Sequence, residues 1–196
     1  MKVFLSALII IFSFQSWTKA DSIKELNIEG FEIGKSLLNY FSKDEIIKNT
    51  NMNIFGVDDK TYVSFFTDTP VKLRSYDQYE YIRITYLNNN NFVIHGITGM
   101  KDFEINEMYK CYELQKSIEI DFDNEFSNLR KDRDVFPSRI DNTGESKITA
   151  IYYYADDGYA EIACYDFAKH VNTASGIDVA ITTTELGNWV ADLRKN

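Results

Sequence analysis

Positive charge falls short of negative in this chain: 21 Lys and Arg stand against 30 Asp and Glu, a formal net charge of −9. A surface of that sign repels phosphate backbones and anionic headgroups alike, which argues against a nucleic-acid partner. Histidine is scarce as well, with only His95 and His170, and the two stand in no recognised metal-ligand spacing. No Gly-rich phosphate loop, nucleophile elbow or zinc-protease helix occurs, so motif reading assigns no catalytic residue, metal or cofactor. Proline is almost absent while Lys, Asn, Ile, Asp, Glu and Tyr abound. AT-rich coding accounts for that bias before any function does.

Missing too is an apolar run long enough to span a bilayer. The longest, Val3 to Phe14, covers about a dozen residues where roughly twenty are needed. It follows the basic start Met1-Lys2 and precedes the small-residue triplet Thr18-Lys19-Ala20, the layout of a cleavable secretory signal over residues 1–20. The expected mature chain, 21–196, is one domain with one hydrophobic core. Losing Lys2 and Lys19 moves its charge from −9 to −11. No stable membrane span remains, and no Cys follows the cleavage point to suggest a lipoprotein. The expected location is the bacterial periplasm, with secretion from a eukaryotic cell as the alternative.

In an oxidising space the only two cysteines, Cys111 and Cys164, are expected to form a disulfide. On the chain-entropy model, closing a loop of this length is worth roughly 4 kcal/mol. A sharper alternative makes Cys164 a nucleophile with His170 as its base.

Along the chain, Ser36 can cap a helix carrying Leu37, Leu38, Tyr40 and Phe41, and Ser42 with Glu45 forms a capping-box pattern for a second helical piece from Lys43 to about Asn49. Tyr62 to Phe66 reads as a strand. Tyr79 to Leu87 and Phe92 to Thr98 flank the run Asn88 to Asn91, a hairpin that would place Ile82, Ile84, Tyr86, Val93, His95 and Ile97 on one face if Leu87 pairs with Phe92. Helical spacing predicts one long helix from Asn106 to Lys131 with Cys111 on its buried stripe. The charged stretch Lys131 to Lys147 is expected to be a mobile connection. Asp156-Asp157-Gly158 marks a second hairpin, Ile148–Ala155 with Tyr159–Phe167, then Ile177 to Ile181 as a last strand and a helix capped by Thr184. This order predicts an α+β two-layer sandwich: an antiparallel sheet of about five to six strands packed against one long and two or three short helices.

The stretch I-E-G-F-E-I-G-K-S-L-L-N-Y-F-S at Ile28 to Ser42 resembles the opening of a group of small exported bacterial proteins. The runs I-H-G-I-T-G at Ile94 to Gly99 and D-G-Y-A-E-I-A-C-Y at Asp157 to Tyr165 are similar to the same group, which carries no assigned activity to transfer. A looser likeness is to the SmpA/OmlA-like envelope accessory proteins, which also place a short I-x-x-G element before helices and an antiparallel sheet, although the lipidated cysteine and the compact single meander are missing here. That resemblance implies an envelope location and contact with protein partners.

Three constellations remain. Asp121, Asp123, Glu125 and Asp132 follow a calcium-loop spacing, but Phe126 occupies the position where the sharp turn needs Gly, so a solvated acidic helix face is the better account. His95 falls on the apolar face of the first hairpin, opposite Ile84, and reads as a hydrogen-bonded core or edge histidine; His170 falls in a loop, with solvent as its simplest neighbour. On the outer face of the second hairpin, Tyr152, Tyr154 and Tyr165 surround Glu161, large rigid contact area with polar tips. The expectation from residues alone is thus a non-enzymatic exported module that meets an envelope protein through these tyrosines. The alternative is a binder of a small ligand, held between the sheet and the N-terminal segment near Tyr40, Phe41 and His95; an enzyme comes third.

Overall fold

A computed structural model describes residues 21–52, 58–67 and 78–193, so the expected leader at 1–20 lies outside the described residues. From Ser22 the chain makes a 3-10 turn (Ile23–Glu25) and a two-strand ladder, β1 (Asn27–Ile28) and β2 (Phe31–Glu32). Ser36 caps a second 3-10 turn, Leu37–Asn39, rather than a helix. The Ser42–Glu45 capping box opens α1 (Lys43–Lys48) with both reciprocal bonds in place. These pieces bury Ile23, Phe31, Leu37 and Ile46 on the sheet that follows.

That sheet is antiparallel, with eight strands in the order β3-β4-β5-β6-β10-β9-β8-β7. The strands are β3 (Thr50–Asn51), β4 (Tyr62–Phe66), β5 (Tyr81–Leu87), β6 (Ile94–Phe103), β7 (Arg130–Pro137), β8 (Lys147–Ala155), β9 (Gly158–Asp166) and β10 (Ser175–Thr183). Two meanders, β3 to β6 and β7 to β10, meet where β6 pairs with β10. The link between them is α2 (Met108–Glu125), which crosses one face of the sheet against β9, β10 and β6. A last helix, α3 (Thr184–Leu193), follows β10; its first turn is capped by Thr183, whose hydroxyl accepts from Leu186 N, not by Thr184. Among the described residues no helix is long and apolar enough to cross a membrane.

The α+β architecture agrees with the sequence reading, but eight strands replace five or six. The largest omission is β7, expected as a mobile connection. Its alternation is one of charge, not hydrophobicity: Lys131 and Arg133 pair opposite Tyr153 and Ile151 and reach Glu119 and Asp123 of α2, while Asp132 and Asp134 fall on the other face. Charged side chains and Pro137 suit a sheet edge that must not recruit another strand. For the same reason α2 is shorter than expected. It stops at Glu125, where Phe126 turns inward against Phe122 and Tyr153, at ring separations of 5.3 and 6.1 Å.

The helix face holds the main core. Cys111 of α2 and Cys164 of β9, both fully buried, are joined in a disulfide with their Cα atoms 6.1 Å apart. Beside it, the buried Gln115 amide donates to Thr149 O and Ile162 O at 2.7 and 2.9 Å, so the helix is tied to strand backbone as well as to side chains. With Cys164 bonded to Cys111, no thiol is left for a nucleophilic role.

Both hairpins differ in detail from expectation. In the first, Tyr86 pairs with Ile94 across a bulge, and the left-handed residue is Phe92, at φ 49°, not an asparagine. Phe92 accepts that conformation because its ring packs on Tyr86 and its carbonyl receives Leu37 N. The bulge also substitutes Ile94 for Val93 and His95 on the core face, and Ile84 pairs with Ile97. In the second hairpin the turn residues are Asp156 and Asp157, with Ala155 opposite Gly158. Against the expected pairing of Asp156 with Tyr159, the register is displaced along the strands by an even step, so the two faces keep their expected residues.

Candidate functional site

Strand register assigns a second, open face to the sheet. Across it run Arg83, Thr98, Ala180, Glu161, Tyr152 and Asp132 in one row, and Tyr81, Met100, Asp178, Ala163, Ala150 and Asp134 in the next. Small residues at the centre, with long side chains on either side, leave hollows. Of the described helices α3 alone reaches this face, at one end: a Cβ on Gly96 would lie 2.7 Å from Leu186 Cδ2, and one on Gly187 would lie 3.2 Å from the Tyr159 ring.

All four residues expected to form an interaction surface lie on this face. Tyr152 stands directly opposite Glu161, and its ring stacks on Tyr154 at 6.0 Å. Tyr159, which the sequence reading left out, completes a cluster at 6.3 Å from each. It was legible as the next residue on the same face of β9 once the turn was placed. Arg130 lies over Tyr154 with its guanidinium 4.2 Å from the ring centre. Tyr165 stands farther along, stacked on Phe167 at 5.9 Å. Burial, reinforced by the Glu161 charge, holds the Tyr152 and Tyr165 hydroxyls well above the usual phenol range. All these tyrosines are partly exposed.

The Tyr165–Phe167 stack separates two hollows. One, of about 370 Å³, is bounded by Tyr81, Arg83, Met100, Asp102 and Asp178. In it Tyr81 donates to Asp102 at 2.8 Å, and Arg83 lies 3.3 Å from Thr98 Oγ1 and 4.0 Å from Asp178. Burial raises Asp178 to about 6, Arg83 opposing and Asp102 adding to the shift. The other hollow, of about 510 Å³, lies between Phe136, Arg139, Ile140 and Ile148 on one side and Glu161 with Tyr165 on the other. The ensemble offers aromatic contact area, an arginine and carboxylates, which is the equipment of a recognition surface.

Among the described residues, the contacts of Tyr40 and Phe41 lie apart from those of His95, the three residues near which a ligand pocket was expected. Tyr40 and Phe41 pack against Phe31 at 4.9 and 5.9 Å, and Phe41 against Phe65 at 4.7 Å. His95 turns instead to Thr183 Oγ1 at 3.1 Å and to the Tyr62 ring at 5.2 Å. The bulge is the cause, since it removes His95 from the core face on which Phe65 lies. Burial keeps this imidazole below its ordinary pKa, with the Glu185 charge opposing the shift.

His170 is not simply solvated: its Nε2 lies 3.0 Å from the buried carboxylate of Asp141. Bonds from Ser146 and Thr143, with His170 contributing less, hold Asp141 well below the usual carboxylate range. Two of the four carboxylates of the calcium-like spacing have other partners. Asp123 accepts from Lys131 and Tyr153, and Asp132 pairs with Arg130 at 3.3 Å. Among the described residues no group of three or more His, Cys, Asp or Glu could hold a metal ion.

Comparison of the chain with protein-family models, curated proteins and solved structures gives no match.

Proposed function

We infer that this chain is a non-enzymatic exported module, acting in the periplasm or outside the cell, that contacts another envelope protein through the open face of its sheet. The observation that carries the reading is the concentration of rings there: the partly exposed Tyr152, Tyr154 and Tyr159 together, and the partly exposed Tyr165 stacked on the buried Phe167 between two hollows. Rigid aromatic residues with polar tips, accompanied by arginine, dominate binding energy at protein interfaces. The disulfide supports an oxidising compartment, and the excess of Asp and Glu favours a partner whose contact surface is basic.

The test is crosslinking in intact cells of the source organism with a C-terminally tagged copy, followed by mass spectrometry. Wild type should capture one dominant envelope protein. Tyr152→Ala with Tyr165→Ala should weaken that capture by about tenfold or more, as truncation of two interface anchors does. Unchanged capture by a folded double variant would make this surface structural, and an empty wild-type result from well-expressed protein would remove the partner reading altogether.

A further inference from the structure

Strand register builds the larger hollow of the open face, the one of about 510 Å³. Phe136 of β7, Ile148 of β8 and Tyr165 of β9 stand in one row. The buried Ile148 is therefore a floor, with an aromatic residue in the strand on either side, the two outer backbones about 10 Å apart. Ser138, just past β7, also lines the hollow and is only 5% exposed. Its N–H donates to Ser146 O and its carbonyl accepts from Asp141 N, but among the described residues its hydroxyl has no hydrogen-bond partner. A buried hydroxyl in that condition costs stability, and a ligand that bonds it recovers the loss. The rim carries both signs of charge, Arg139 on one and Asp134 with Glu161 on the other. An anion here meets two carboxylates and a cation meets a guanidinium, whereas a neutral ligand rich in hydroxyls gives oxygen to the one and hydrogen to the others. Each carboxylate has lone pairs enough to accept such bonds beside any it already accepts.

We propose that this hollow binds a neutral hexopyranose with all its ring substituents equatorial, the β-gluco configuration. Such a sugar has C–H groups on both faces and hydroxyls around its edge. It lies on Ile148 between Phe136 and Tyr165, and its edge meets Ser138, Arg139 and Asp134. An axial hydroxyl would press a polar group on one of the rings. The volume lies within the roughly 300–1,000 Å³ of small-molecule sites. This site goes beyond the protein-contact reading and does not rest on it.

The test titrates the oxidised full chain with methyl β-D-glucopyranoside, followed by methyl NMR. Methyl β-D-galactopyranoside, with one axial hydroxyl, methyl β-D-glucuronide, an anion, and the methyl glycoside of β-D-glucosamine, a cation, are the comparisons. The glucoside should give a saturable shift at the Ile148 methyls, and each comparison should bind about threefold more weakly or worse. Ser138→Ala should leave the free protein at least as stable as wild type, while weakening the glucoside by about threefold or more. The same variant should leave crosslinked capture of a partner protein unchanged, because Ser138 is buried, so failure of one reading is told from failure of the other. The proposal is overturned by an absence of saturation at tens of millimolar glucoside, by any comparison binding equally well, by shifts elsewhere, or by a Ser138→Ala variant that keeps full affinity or loses stability.

Discussion

Asp178 shows how a single side chain can tax the fold at neutral pH. It lies among Arg83, Asp102 and Tyr165 in the open-face hollow, and burial lifts its pKa from an ordinary 3.8 to about 6. A carboxyl whose native pKa is raised favours folding while protonated. That contribution is complete below about pH 4 and lost as pH rises through about 6. The Asp178→Asn variant, which keeps the shape and cannot ionise, should therefore match wild type near pH 4 and exceed it at pH 8 by at most about 3 kcal/mol. Urea midpoints at the two pH values check this, and a wild-type advantage at pH 8 would mean that the Arg83 pair outweighs the desolvation. Gly158 is constrained by space instead. A Cβ there would stand 2.2 Å from the Thr182 carbonyl oxygen and 2.4 Å from Ile23 Cδ1. Since the first of these is backbone, Gly158→Ala should cost about 1–3 kcal/mol, read as a lowered melting temperature with the strand content retained.

The disulfide acts at the scale of elements, because Cys111 and Cys164 join α2 to β9 across a sequence separation of 53. Cys111→Ser with Cys164→Ser should lower stability by about 2–4 kcal/mol on the loop-closure account, measured as a shifted urea midpoint that dithiothreitol reproduces in wild type. Two free thiols in the denatured, unreduced protein would refute the bridge. This pairing was legible because Cys111 and Cys164 are the only two cysteines of a chain expected in an oxidising space, and the second hairpin's even displacement left the strand faces as expected. That even displacement kept the aromatic face legible as well. Other elements were not: β7 writes its alternation in Lys131, Arg133, Asp132 and Asp134, whose partners on α2 and β8 exist only after folding. His95 was misplaced because a bulge depends on how Tyr86 and Phe92 pack, which no local pattern in β6 announces.

For the molecule as a whole, the chain order sets where stability resides. Among the described strands the two meanders pair along β6 and β10, the long ladder from Ser175–Phe103 to Thr182–Gly96. Above that junction lie α2 and its disulfide to β9, so the central strands share backbone ladders, the apolar core and a covalent tie. The edges have less. β7 pairs on one side only and is largely exposed, while β3 contributes two residues. Amide protection tracks the free energy of the opening that exposes each group. Native-state hydrogen exchange should therefore find β6, β9 and β10 exchanging only through global unfolding, with β7 and β3 opening at markedly lower cost. Reduction of the disulfide should bring the β9 and β10 amides down together. If β6 falls with them, the junction is one cooperative unit; if β7 were as protected as β10, its bridges to Glu119 and Asp123 would hold the edge as firmly as the core holds the centre, and the gradient argued from topology would be wrong.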